Sequence, residues 1–269
     1  MKKFSIILFA FCICLLPVSA HCTDTVARSP LCDKAVALLG DSMTWIGGDS
    51  CDVARGWSTY FKRLTRPASL KVYARSGATW TNSPSTRIDT RSYSDVLHPD
   101  NVLYNQALRL REDAEAGRTP VPDVIVLYAG ANDAWFGGRF PEMFPGKPLP
   151  DGKPTPSQVR SLAGSIRLVA RMLARSFPEA RLVFVTPAEM TKTSAANLTR
   201  VADTIDSVAS ALGYTVLRVD RDVDIRRDTE MKKFTLTSDG VHTNPAGARL
   251  LGEYIAGKII KIYCNSLQR

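Results

Sequence analysis

The sequence predicts one α/β domain built on a five-stranded, mainly parallel sheet. Apolar runs of strand length recur along the chain, and longer segments of helical period fall between them. Strands alternating with helices imply a parallel sheet covered on both faces. The hydrophobic fraction of 45% and charged fraction of 23% are those of a folded globular protein. They exclude a disordered chain and a multi-span membrane protein. No internal repeat or linker divides the 269 residues, a length that one generous domain accommodates.

The elements follow in order. Lys2 and Lys3 precede an apolar run over residues 4–16, and Pro17, Val18, Ser19 and Ala20 follow it. That order is expected of a cleavable secretory leader over residues 1–20, too short in its core to span a bilayer. Residues 21–269 then form the single domain, 249 residues (269 − 20). Residues 34–39 (KAVALL) read as the first buried strand, followed by a helical segment over 53–64. Further strands fit residues 70–74, 123–128 (DVIVLY), 181–186 (RLVFVT) and 214–219. Val159, Leu162, Ile166, Val169 and Leu173, spaced 3, 4, 3 and 4, share one helical face. Pro156 lies near that helix's start, and Pro178 ends it. The final helix covers about 245–262, with Leu250, Leu251, Tyr254, Ile255 and Ile259 as its buried stripe. Two stretches, 79–100 and 134–155, have no such period and read as long loops following strand ends. Ligands of open α/β sheets bind at that edge.

Charge and cysteine use narrow the partners. The formal net charge of +9 becomes +7 once Lys2 and Lys3 leave with the leader. The basic residues are scattered without a dense run, so they read as a solvated surface and not as a nucleic-acid site. Cys22, Cys32, Cys51 and Cys264 remain after cleavage, with no metal-knuckle spacing, and an exported protein is expected to oxidise them. Export predicts a secreted or periplasmic protein with no stable membrane insertion after cleavage; the oligomeric state is left open.

Four short motifs follow strand ends. Gly40-Asp41-Ser42-Met43-Thr44 comes directly after the first strand, where a serine is held rigidly at the sheet's open edge. Alone, such a serine reads better as a cap of the next helix. Ser76-Gly77-Ala78-Thr79 follows the second strand, and its glycine permits close approach of a backbone N–H. Gly130-Ala131-Asn132-Asp133 follows the third, where a side-chain amide can donate to a developing oxyanion. Asp239-Gly240-Val241-His242 precedes the last helix and places a carboxylate three residues from an imidazole. The chain's other histidines are His21, beside the cleavage point, and His98, in a loop. His242 is therefore the candidate general base. G-x-S-x-G, G-x-G-x-x-G and Walker A patterns are missing, which disfavours an ordinary α/β-hydrolase and nucleotide binding.

Together, the order and spacing of these motifs resemble the SGNH (GDSL-type) hydrolase family over nearly all of the mature chain. The resemblance implies a flavodoxin-like three-layer α/β/α sandwich. It implies Ser42 as nucleophile, His242 as base and Asp239 as the third triad member. The backbone N–H groups of Ser42 and Gly77 and the side chain of Asn132 correspond to the oxyanion hole. Met43 stands where the family usually has leucine. Acyl transfer by such a triad requires no metal or organic cofactor.

The substrate expected is a short acyl ester, most simply acetyl, on a carbohydrate. The leader places the protein where glycans are met, and Trp45, Trp80, Trp135 and Phe136 follow motif residues closely enough that some of them should line a cleft mouth, the others packing in the core or loops. A lipase or lysophospholipase, a thioesterase, and a non-catalytic carbohydrate-binding protein of the same fold are the alternatives. For the cysteines, the last helix should return from the catalytic edge to the opposite end of the sheet, which pairs Cys264 with Cys32. Cys22 is the competing partner.

Overall fold

The computed structural model describes residues 29–82, 101–136, 143–144 and 159–267. The leader, His98, Cys22 and most of the two long loops lie outside the described residues. In chain order the elements are β1 (Ala35–Gly40), α1 (Ser42–Trp45), α2 (Trp57–Thr65), β2 (Ser69–Val72) and α3 (Leu103–Glu115). Next come β3 (Val124–Tyr128), α4 (Ala131–Phe136), α5 (Leu162–Ser176), β4 (Arg181–Val185) and α6 (Ala195–Ala211). The chain closes with β5 (Thr215–Leu217), α7 (Val219–Asp222), α8 (Arg227–Lys232) and α9 (Pro245–Leu267).

The five strands form one sheet in the order β2-β1-β3-β4-β5, and every neighbouring pair is parallel. This is the flavodoxin-like order, in which the chain reverses direction of travel between β1 and β3. β1 and β3 sit at the centre and are buried along their whole length, which explains why their sequences are continuous apolar runs without alternation. Their register pairs Gly40 with Tyr128, so the ends of both strands reach the same edge. All five strands fall where the apolar runs predict them, to within two residues at each end.

The helices fall into two packing groups. α2 lies on α9, while α3, α5 and α6 pack side by side. α5 begins where Ser161 accepts from the Gly164 N–H at 3.1 Å, somewhat later than Pro156 suggests. Asn244 caps α9 in the same way, accepting from Ala246 N at 3.0 Å and Gly247 N at 3.1 Å. α3 and α6 are additions to the sequence reading. Among the described residues, no helix is long and apolar enough to cross a membrane.

Cys32, Cys51 and Cys264 are free thiols, so the expected Cys32–Cys264 disulfide is not formed. The return of α9 to the start of β3 is correct, because the Tyr263 hydroxyl donates to Asp123 O at 3.2 Å. Successive helical residues point about 100° apart, however, and with Tyr263 facing the sheet Cys264 is left exposed.

The α2–α9 contact is close because Gly252 lacks a side chain. A Cβ there would stand 2.5 Å from Trp57 O and 2.6 Å from Tyr60 Cβ, whereas at Gly257 it would meet nothing within 4 Å. Both glycines occupy the same helix, where alanine is intrinsically favoured by about 0.8–1.0 kcal/mol. Gly257→Ala should therefore stabilise the protein by up to about 1 kcal/mol. Gly252→Ala should destabilise it by about 1–3 kcal/mol, overpacking against backbone outweighing the propensity gain. Urea unfolding of the two variants checks the opposite signs.

Candidate active site

Ser42 is the first residue of α1, two positions beyond the end of β1. At that position a backbone N–H has no acceptor inside the helix. Asp41 is the N-cap, and its Oδ1 accepts from the Met43 N–H at 2.9 Å. Its Oδ2 accepts from Gly130 N and Ala131 N, each at 3.3 Å, so one carboxylate holds the ends of β1 and β3 together. Burial pushes the Asp41 carboxyl from 3.8 up to about 7, against the lowering effect of the Met43 and Ala131 N–H groups.

A second clamp acts one residue earlier. The Gln106 side chain, from α3, accepts from Gly40 N at 2.8 Å and donates to Gly40 O at 2.8 Å. Gly40 must be glycine for a steric reason, since a Cβ would lie 2.2 Å from Tyr128 O on the neighbouring strand.

His242 and Asp239 occupy the turn between α8 and α9. His242 Nε2 lies 2.9 Å from Ser42 Oγ, and His242 Nδ1 lies 2.8 Å from Asp239 Oδ2. Asp239 Oδ1 accepts from the backbone N–H groups of Val241 at 2.9 Å and His242 at 2.8 Å. Partial burial pushes the Asp239 carboxyl up, but the His242 ring and these N–H groups outweigh it and hold it below its ordinary value. An ionised Asp239 keeps the Nδ1 proton on its own side, which leaves Nε2 to accept from Ser42. The three side chains thus form one continuous hydrogen-bonded chain.

Gly77 and Asn132 arrive from the two neighbouring strand ends. Gly77 turns at φ 77°, a conformation that favours glycine, and the turn is braced by Asn101 Nδ2 donating to Ser76 O at 2.5 Å. Asn132, in α4, donates one amide hydrogen to Ala78 O at 2.9 Å. That bond ties the Asn132 amide to the Gly77 turn and leaves its second N–H for another acceptor. Asp133 faces the other way into the fold, accepting from Trp80 N at 2.9 Å, Thr81 N at 3.0 Å and Thr81 Oγ1 at 2.9 Å. Burial raises its carboxyl above the ordinary value, despite these donors. Among the described residues, no group of three or more His, Cys, Asp or Glu is placed to hold a metal ion.

Residues 38–250 match the model of the GDSL-like lipase/acylhydrolase family. The chain belongs to that family. GDSL-like structures share the fold: a putative GDSL-like lipase from Bacteroides uniformis superposes with a TM-score of 0.56 at 18% identity, covering 84% of this chain and 95% of that one. A possible lipase from Chitinophaga pinensis gives 0.54 at 14% identity, with coverage of 86% and 99%. A lipase/acylhydrolase from Enterococcus faecalis gives 0.50 at 18%, with coverage of 85% and 96%. No curated protein sequence matches the chain.

The aromatic candidates divide between core and surface. Trp80 does not line a cleft mouth: it is 0% exposed, stacks on Phe184 at 5.8 Å and donates its Nε1–H to Ala129 O at 3.1 Å. The Asp133 clamp on its backbone turns the ring inward. Trp45 is half-buried at the end of α1. Trp135 is 46% exposed and stacks with Phe136, ring centroids 6.3 Å apart, at the end of the helix that carries Asn132.

The Gln106 clamp generates a stability prediction. In Gln106→Leu, Gly40 O keeps the Arg75 N–H at 3.2 Å, but Gly40 N–H loses its partner in the core. The cost expected is about 1–3 kcal/mol from that orphaned donor. It is to be measured by denaturant unfolding.

Proposed function

We propose that this GDSL-like protein is an exported serine esterase that removes short acyl groups, most simply acetyl, from carbohydrate. The observation that carries the catalytic part is the unbroken Ser42–His242–Asp239 chain at the carboxyl edge of the central strands. Ser42 Oγ attacks the ester carbonyl carbon while its proton passes to His242 Nε2. The carbonyl oxygen becomes an oxyanion, to which the N–H groups of Ser42 and Gly77 and the Asn132 amide donate. When it collapses, the bond to the alcohol breaks and His242 returns the proton to the leaving oxygen. Water then attacks the acyl-serine, again giving its proton to His242, and His242 passes that proton to Ser42 Oγ as the acyl–Oγ bond breaks and the acid leaves.

The carbohydrate part rests on different residues. The leader-like order of residues 1–20 favours export, and the Trp135–Phe136 stack offers a flat apolar face beside Asn132. Aromatic faces of that kind suit the apolar faces of sugar rings. The ester substrate is the only partner this reading requires, with no nucleic acid and no cofactor. The names of the similar structures point to the lipase alternative, and acyl length separates the two.

Ser42→Ala and His242→Ala should each abolish ester hydrolysis while leaving a folded protein, because the three residues act as a unit. Asn132→Ala should lower kcat by roughly 100- to 1,000-fold through loss of one oxyanion donor. Wild-type-like turnover by folded Ser42→Ala would end the assignment. A panel of acetyl, butyryl and long-chain aryl esters, followed by acetylated oligosaccharides, tests the substrate. Preference for chains of roughly eight carbons or more, without acetate release from any glycan, would favour the lipase reading instead.

A further inference from the structure

Glu230 lies outside every motif, yet it is one of the most heavily hydrogen-bonded carboxylates in the described structure. It sits on α8 and is 1% exposed. Its Oε1 accepts from Thr235 Oγ1 at 2.5 Å, Thr235 N at 3.2 Å and Leu236 N at 2.9 Å. Its Oε2 accepts from Thr237 N at 3.0 Å and from the Thr237 hydroxyl. A carboxylate can accept about this many bonds and no more, so its capacity is filled by three consecutive residues. Burial pushes the Glu230 carboxyl up, but these donors outweigh it and hold it below its ordinary value.

Those three residues lead directly into the acid–base turn. The Thr237 hydroxyl gives its hydrogen to Glu230 and accepts the Gly240 N–H at 3.1 Å, between Asp239 and His242. Thr237 also pairs with Thr243 across the turn, and Ser238 N donates to His242 O at 2.7 Å. The first residue of α8 secures the other side. Arg227 Nη1 donates to the carbonyls of Met190, Thr191 and Thr193, and Thr191 N donates to Gly240 O at 2.8 Å. The backbone of Gly240 is therefore held at both its N–H and its C=O by groups that α8 fixes.

We propose that Glu230 is a positioning residue for catalysis: through Thr237 it sets where the Asp239–His242 turn stands relative to Ser42. The inference rests on the triad reading above. The His242–Asp239 contact spans three residues and is nearly self-contained, whereas the 2.9 Å contact from His242 to Ser42 joins residues 200 apart in the chain. Only the second depends on where the turn is held. Glu230→Gln keeps the volume but turns an NH₂ group toward donors that need an acceptor. Thr237→Val removes the hydroxyl that links Glu230 to the Gly240 N–H and leaves the other donors to Glu230 in place.

Each variant should fold and show kcat reduced about 10- to 100-fold with KM within about 2-fold, since a shift near 1 Å in a reacting group costs on that order. Labelling by a fluorophosphonate probe should still reach one Ser42 per chain, but slowly. A merely structural role would instead reduce the number of sites labelled and leave each remaining site at the wild-type rate. If folded Glu230→Gln and Thr237→Val both turn over at wild-type rates, the positioning role is wrong and the triad reading survives. If Glu230→Gln does not fold, Thr237→Val decides alone. If the wild-type protein neither hydrolyses esters nor labels at Ser42, the triad reading falls and takes this inference with it.

Discussion

Asp41 sits between the ends of β1 and β3, and its two oxygens hold the backbone of both. Ser42 follows one residue later and Asn132 follows Ala131, so the two residues share one anchor. The anchor is costly. Moving the Asp41 carboxyl from 3.8 to about 7 corresponds to on the order of 4 kcal/mol against its charged form. Because the folded state holds this proton more tightly than the unfolded chain, Asp41 works against stability as pH rises from about 4 to about 7. The group persists because it organises three N–H groups that no helix or strand partner would otherwise accept.

Around that anchor the sheet supplies distance and the helices supply direction. Parallel pairing of β1 with β3 in the Gly40–Tyr128 register delivers the two motif loops to one edge. Gln106 then fixes Gly40 from α3, and Asp133 fixes residues 80 and 81 from α4. Both act on backbone. Asp133 also takes the Thr81 hydroxyl, but the N–H groups that both clamps hold are ones any passing chain carries.

That difference explains what was legible in the sequence. Buried parallel strands are continuous apolar runs, so residues 123–128 and 181–186 announce themselves without an alignment. The grouping of Ser42, His242 and Asp239 was legible as spacing, because Asp239 and His242 are close in the chain and Ser42 follows a strong strand. α6 carries a regular stripe, Leu198, Val201, Ala202, Ile205 and Val208, and its period was there to be read. α3 is harder, because Asn105 and Gln106 interrupt its buried face. Gln106 is buried to serve backbone 66 residues away, at Gly40, which no local pattern encodes. Trp80 could not be told from the cleft candidates for the same reason: its inward turn depends on Asp133, 53 residues further on.

The contact between Asp239 and His242 and the contact between His242 and Ser42 differ in what can disturb them. The first is closed by a few consecutive residues and carries its own backbone donors. Strain elsewhere in the molecule has little leverage on it. The second closes a loop of 200 residues, so every packing error along β1, α2 and α9 accumulates in that one gap. Its width therefore depends on how the elements between the two residues pack on one another, α2 against α9 among them.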